Sequence, residues 1–440
     1  MILQNITTNA CLSNFSLPGN FPFGTPGAAK YYSRDAVIRL IDEEADNVAL
    51  YIDTYVELVD AINPVIDVEA FQDELEKYSN DPGSVSLCWM SMLLMVLGLG
   101  SFVSSDPEPA VATEFMLAAE ACLMQTPFMF RPTLANLKAV TLMVEAKQFC
   151  NATCWAVDSA WSLLGLLVRT AYTFGLPQEY YEAELTAKEK QDRRHLWLTI
   201  RYIEAKVTVH AGMPPVTRHE DAVDIALDTG EPRIPENMHD VLQQAFPTVK
   251  FVVANMNNST DKIAYADVLK HGGILRTLNA HARRVCSSEL QFTMLDIFLR
   301  RCLMVLHRPF ALHDDGPTLY TESYWTSLEC ALAVLIHYRE IYAGGDETPP
   351  GYPVLGRANV LDWMPAVLTV CLYIMRRELP LTDVMAGGAL RGNSSIPPRQ
   401  LILETVHSCI QIWEGEKDRS VCYRTAYHLL VVIQAMLPHS

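Results

Sequence analysis

The sequence predicts an all-α protein, a single large multi-helix domain behind a mobile tail. Apolar residues recur at helical spacing through most of the chain, in runs that open on Ser, Thr or Asn and stop at Gly and Pro. No region reads as strand-rich, and no unit of roughly 20–50 residues repeats. The composition, 50% hydrophobic and 19% charged over 440 residues, is that of a globular chain able to bury a large core.

Residues 1 to about 30 are rich in Asn, Thr, Ser, Pro and Gly without a period and read as the mobile tail. The helical domain is expected from residue 31 to residue 440. Val37, Ile41, Val48, Ile52, Tyr55 and Val59 suggest two helices around the acidic run Asp42-Glu43-Glu44. From Val85 to Val103 no residue is charged, a length that could in principle span a bilayer. Its flanks are acidic (Asp81, Asp106, Glu108), no Lys or Arg anchors it, and Ser86, Ser91, Gly98 and Gly100 interrupt it, which favours a buried core helix. Helices follow at about 110–125 and 133–149, the second capped by Thr133, and Asn151 can cap the next.

The stretch from Trp161 to Pro215 organises the chain. WSLLGLLVRTAYTFGLP is apolar almost all round and closes on Gly175 and Pro177, so a buried helix is expected. The next helix opens on Thr186 with Glu189 three residues on, a capping-box spelling, and runs until Gly212 and Pro214-Pro215 stop it. Leu196, Ile200, Ile203 and Val207 form its apolar side, and Glu189 and Arg193 are spaced for a surface ion pair. Val216 to Pro235 reads as a surface loop. A helix-rich half follows, including Leu278–Phe310, Tyr324–Tyr342, Val360–Arg377, Leu401–Trp413 and Arg419–Leu437, with a second mobile segment near 380–398.

These motifs resemble the fungus-specific transcription factor domain, the regulatory middle region of binuclear zinc-cluster regulators. Trp161, Gly165, Arg169, Ala171, Gly175 and Leu176 match the first signature helix. Glu189, Arg193, Arg194, Leu196, Trp197, Gly212, Pro214, Pro215, Asp221 and Asp224 match the second and the segment after it, with Leu198 and Met213 replacing a usual Trp and Arg. Tyr51 to Phe71, turning at Pro64, resembles the family's opening motif, and Val85–Leu99 fits its apolar helix. His307, Arg308, Pro309 and Phe310 match a later one.

Chemistry is sparse. No P-loop, Gly-x-Ser-x-Gly or His-Glu-x-x-His occurs, and no cofactor is expected. The eleven cysteines are scattered without a Cys-x-x-Cys, so neither a disulfide framework nor a zinc site is expected. Glu220, Asp221 and Asp224 could be paired carboxylates or a solvated acidic loop. Arg169, on an apolar helix, needs a carboxylate partner or an effector if it is buried. His307-Arg308 beside Arg300-Arg301 could hold an anion or could simply complement a helix C-terminus. With a net charge of −17, the 440 residues repel a phosphate backbone.

The resemblance implies a nuclear regulator of a fungal gene set, secondary metabolism being one candidate pathway, and not an enzyme. Because these residues hold no zinc-cluster spelling, they are expected to bind no specific DNA. They would act through a zinc-cluster DNA-binding factor or a homo- or heterodimer partner, entering the nucleus with it or otherwise staying cytoplasmic. A small-molecule receptor on the same helical domain is the alternative, as is a truncated gene model of a complete zinc-cluster factor.

Overall fold

The computed structural model describes residues 17, 20–104, 109–149, 155–176, 185–217, 234–256, 258–260, 262–343, 352, 355–356, 359–376, 397, 399–418 and 421–437. The fold is all-α, and no strand occurs among these residues. The first half comprises α1 (Arg34–Glu43), α2 (Ala45–Thr54) with a π-helical continuation Tyr55–Asp60, α3 (Val68–Asn80), α4 (Leu87–Val103), α5 (Pro109–Met124), α6 (Leu134–Phe149) and α7 (Trp155–Phe174). After α8 (Ala187–Ala211) come α9 (Met238–Asn255), α10 (Tyr265–Val285), α11 (Glu289–Ala311), the short α12 (Gly316–Leu319) and α13 (Thr321–Ala343). The chain closes with α14 (Val360–Met375), α15 (Arg399–Glu416) and α16 (Val421–Met436).

The uncharged stretch is α4, the axis of the first half. Ser86 caps it by accepting from the Trp89 amide, and nearly every residue from Trp89 to Val103 is buried against α2, α5 and α6. Its two glycines explain how three helices come so near. A methyl group on Gly100 would lie 1.9 Å from the Tyr51 carbonyl oxygen of α2, and one on Gly98 would press on Met116 and Ala112 of α5. No described helix is long and apolar enough to cross a membrane.

Order begins earlier than the composition suggests. Residues 20–31, expected in the mobile tail, form a turn and a 3-10 helix (Pro26–Tyr31) laid along α5. Phe21 is buried, the Thr25 amide donates to the Glu120 carboxylate at 2.8 Å, and the Tyr31 hydroxyl donates to Glu114 at 2.5 Å. The segment lacks a helical period because it is held by these contacts and not by a periodic apolar face. The expected mobile segment near 380–398 lies almost wholly outside the described residues.

In the second half α11 and α13 form the central pair, flanked by α10, α14 and α15, with α16 against α15. The stretch from Leu278 to Phe310 divides at 286–288, where Ser288 caps α11 by accepting from the Gln291 amide at 3.1 Å. Both halves converge on α8, which packs on α6 and α7 on one side and α9 on the other.

Replacing Gly100 with alanine sets a methyl group against backbone that cannot rotate away, so Gly100→Ala is expected to destabilise by about 3 kcal/mol or more. Chemical denaturation measures it, and a change within experimental error would contradict the packing of α2 on α4.

Candidate functional site

The signature residues assemble into one corner. The capping box forms as spelled: the Glu189 amide donates to Thr186 Oγ1 at 3.3 Å and the Thr186 amide donates to Glu189 Oε2 at 2.8 Å. These Thr186 hydrogen bonds, more than Arg193, hold the Glu189 carboxyl below its usual range. Arg193 itself lies over the Phe174 ring at 4.6 Å, Arg194 is exposed, and Trp197 is buried edge-on against Tyr172. Gly175 and Gly212, at φ 85° and 68°, end α7 and α8 in the left-handed conformation that favours glycine.

Beyond Gly212 the chain folds back over both helices. Trp161 Nε1 donates to the Pro214 carbonyl at 3.1 Å. The buried Glu204 carboxylate accepts from the Val216 amide at 2.6 Å, the Thr217 amide at 3.1 Å and the Thr217 hydroxyl at 2.5 Å. Met213, Pro214 and Pro215 lie on the outside of this return. Glu220, Asp221 and Asp224 fall outside the described residues.

Two expectations about this corner are corrected. Arg169 is exposed, with Nη1 donating to the Gly165 carbonyl one turn back at 2.9 Å, so it is not a buried guanidinium demanding a counter-ion. Nor is α7 buried all round: Ser162, Arg169 and Thr173 form an exposed stripe, while α8 is buried from Leu196 to Val209 except at Leu198 and Ala205. The polar-looking helix is the inner one.

The opening motif meets α8 from the other side. Asp60 Oδ1 accepts from the Val65 and Ile66 amides at 2.9 and 3.1 Å and from the Tyr55 hydroxyl at 3.0 Å, clamping the turn after Pro64. Thr199 then donates to the Pro64 carbonyl at 2.8 Å. Between turn and helix lies an open cleft of about 390 Å³, lined by Pro64–Asp67 and by Lys188, Gln191, Asp192 and His195. Lys188 bridges its rim to Asp67 at 3.5 Å and Glu69 at 2.5 Å. Both Asp192 oxygens take Lys138 Nζ at 2.8 Å, and His195 stacks on His239 at 4.5 Å.

Deeper along α8 the interior is polar. Lys206 Nζ donates to Asn359 Oδ1 at 3.0 Å, and His210 Nε2 meets Asp362 Oδ1 at 2.8 Å, with Arg301 Nε 3.8 Å from the same oxygen. Burial alone would raise the Asp362 carboxyl, but His210, Lys206 and Arg301 outweigh it and hold it below its usual value. Glu145 of α6 behaves oppositely. Burial, with Asp60 adding, raises it well above its usual value against the opposing influence of Asn63 and Lys206. Sequence reading missed Glu204, Lys206 and Asp362. Asp362 had a usable signal, as the lone charge in the apolar run of α14.

Residues 52–249 match the family described as the fungal specific transcription factor domain. The chain contains that domain. The match spans the opening motif, α4, the corner and most of α9. Among similar proteins, an uncharacterized transcriptional regulatory protein of Schizosaccharomyces pombe is 26% identical over 174 residues, 37% of this chain and 22% of that protein. The transcription factor opdR of Penicillium oxalicum is 22% identical over 302 residues, 59% of this chain and 38% of its own length. The lactose regulatory protein LAC9 of Kluyveromyces lactis is 25% identical over 193 residues, 43% and 21%. The chain thus matches well under half the length of these relatives.

The His307-Arg308-Pro309 motif lies beyond the matched part of the domain, at the end of α11, and its cations disperse. Arg300 pairs with Asp296 at 2.7 Å, Arg301 faces Asp362, and Arg308 donates to the Met256 carbonyl at 3.0 Å. His307 is buried, with Nδ1 at 2.8 Å from the Ser323 hydroxyl and Nε2 against Gly272, where a methyl group would lie 2.6 Å away. The buried thiols Cys122, Cys302, Cys330 and Cys409 are each pushed up to about 12, chiefly by burial. Among the described residues no three His, Cys, Asp or Glu side chains are grouped to hold a metal.

Burial, then Arg276, pushes the His307 imidazole down to about 3, and burial, then His195, pushes His239 down to about 4. An unfolded histidine titrates near 6.5, so as pH falls below about that value the unfolded chain takes up protons the folded chain refuses. Their stabilisation is complete above about pH 6.5 and is lost on the way down to the folded values. The melting temperature is therefore expected to fall between roughly pH 6.5 and 5, and His307→Asn to reduce the slope of stability by up to about 1.4 kcal/mol per pH unit. A melting temperature that does not change with pH in this window would contradict the buried neutral imidazoles.

Proposed function

We propose that this protein regulates transcription of a fungal gene set from the nucleus, as a regulator and not a catalyst. The observation that carries the reading is the match of residues 52–249 to the fungal specific transcription factor domain, together with relatives whose names describe transcriptional regulators. The geometry supports it. The buried Asp362 carboxylate is met by cations within the fold, burial raises the Cys330 thiol, and the signature side chains serve a structural corner.

DNA contact falls to a zinc-cluster factor acting as partner. The 440 residues carry a net charge of −17 and no Cys-x-x-Cys, and two further relatives are named as C6 finger domain transcription factors of Aspergillus fumigatus. Import together with that partner accounts for a nuclear location. A secondary-metabolite gene cluster is the target pathway that the resemblance suggests. A second reading, a small-molecule receptor on the same domain, is favoured by the cleft between the Pro64 turn and α8, whose volume suits a metabolite.

Deleting the gene and profiling transcripts, alongside affinity purification of the tagged protein, tests the regulatory reading. The expected result is a defined set of genes changing together and a zinc-cluster factor among the co-purified proteins. Unchanged transcripts with a cytosolic, partner-free protein would overturn it. The receptor reading would then rest on a saturable rise in melting temperature with a metabolite.

A further inference from the structure

The outward face of α10 is a cationic strip on an acidic molecule. Lys262, Lys270, Arg276, Arg283 and Arg284 crowd the stretch from Lys262 to Arg284 against one acid, Asp267, in a chain of net charge −17. The helix buries Val268, Gly272, Leu275, Leu278 and Ala282 against α9 and α11. Its exposed side centres on Ala266, Lys270, Gly273, Thr277, Ala280 and Arg284, spaced alternately four and three residues apart, with Leu269 and Ile274 flanking at 39% and 37% exposure. Arg276 pairs with Glu322 of α13 and Arg283 lies 3.6 Å from Glu289, whereas Lys270 and Arg284 meet no acid among the described residues. Two consecutive glycines interrupt this helix, and the fold accounts for one of them. A methyl group on Gly272 would lie 2.6 Å from His307 Nε2, but one on Gly273 would meet no other element within 4 Å. Glycine disfavours a helix interior, so Gly273 is a cost that no contact inside the protein explains.

We propose that this face docks an acidic amphipathic helix of another protein, laid along α10 with its backbone close over Gly273. The spacing selects a helix. Positions alternating by four and three form the seam of two packed helices, and the run from Lys270 to Arg284 is about 21 Å long, roughly four turns. Along it only Gly273, Thr277 and Ala280 intervene, so the floor is low between two charged ends, and glycine is the residue that lets another backbone come close. Charge selects the sign. Lys270 and Arg284 stand at the ends without acidic partners, so acids at matching positions of the docked helix complete both. Of the nearby acids, Glu289 and Glu322 are engaged by Arg283 and Arg276, and Asp267 lies off the centre line. At physiological salt charges are screened beyond about 8 Å, so the strip and not the acids elsewhere on the surface sets the local field. The same rule excludes a second copy of α10, which would bring Lys270 and Arg284 against their own kind. Leu269 and Ile274 supply apolar contact on either side of the seam. The inference concerns one surface and stands independently of the regulatory reading.

Fluorescence anisotropy of the full chain with a labelled synthetic helix is the test. The helix carries alanine and leucine on a heptad stripe with glutamates flanking it, and a peptide of the same composition in shuffled order is the control. The ordered helix is expected to bind saturably, at least about tenfold more tightly than the shuffled peptide, and to loosen as salt rises. Gly273→Gln adds an uncharged side chain where the fold has room, so it is expected to keep or raise the melting temperature and to weaken binding by at least about tenfold. Lys270→Glu combined with Arg284→Glu, both at exposed positions, is expected to weaken it as much without unfolding the chain. An ordered helix that does not bind, a shuffled peptide that binds equally well, or binding indifferent to either set of substitutions would overturn the assignment.

Discussion

Lys206 and His210 of α8 reach into the interior, where the Asp362 carboxylate lies, and no part of the fold could be assembled without answering them. A buried charge is tolerated only when partnered, and removing one partner of such a pair typically costs about 3–5 kcal/mol. The partners here come from distant parts of the chain. Asn359 and Asp362 belong to the start of α14, Arg301 to α11, and Glu145 to α6. Glu204 takes the chain returning after Gly212. One helix therefore fixes the position of the first half, the second half and the corner between them.

The same helix touches everything with functional promise. Residues 188–195 line one side of the cleft, Thr199 holds the opposite wall through the Pro64 carbonyl, and Lys206 and His210 hold the second half. A molecule entering the cleft would rest on the element that ties the halves together. The family's motifs, far apart in sequence, meet on α8 because they are the parts that secure it.

What was legible in the sequence was what local chemistry decides. The uncharged run of α4, the Thr186 capping box, the Thr133 cap and the stops at Gly175 and Gly212 formed as spelled, since each depends on residues within a turn or two. What was illegible depends on partners remote in sequence. Arg201, Glu204 and Lys206 make α8 look like a surface helix, and their burial is accompanied by partners remote in sequence, among them Phe246, Thr217 and Asn359. Arg169 misled for the converse reason, because its apolar neighbours face inward while it faces water. Residues 20–31 carry no period, so the Glu114 and Glu120 anchors that order them had no signature to read.

Amide hydrogen exchange followed by mass spectrometry tests most directly whether the buried charges of α8 unite the two halves. Cooperative units appear as groups of amides sharing one opening free energy. The structure predicts that the slowest amides of α4 and α6 exchange through the same opening as those of α11 and α14, with α8 among them. Slow amides in the first half that stay protected while α11 and α14 exchange freely would contradict it, because the halves would then open independently of α8.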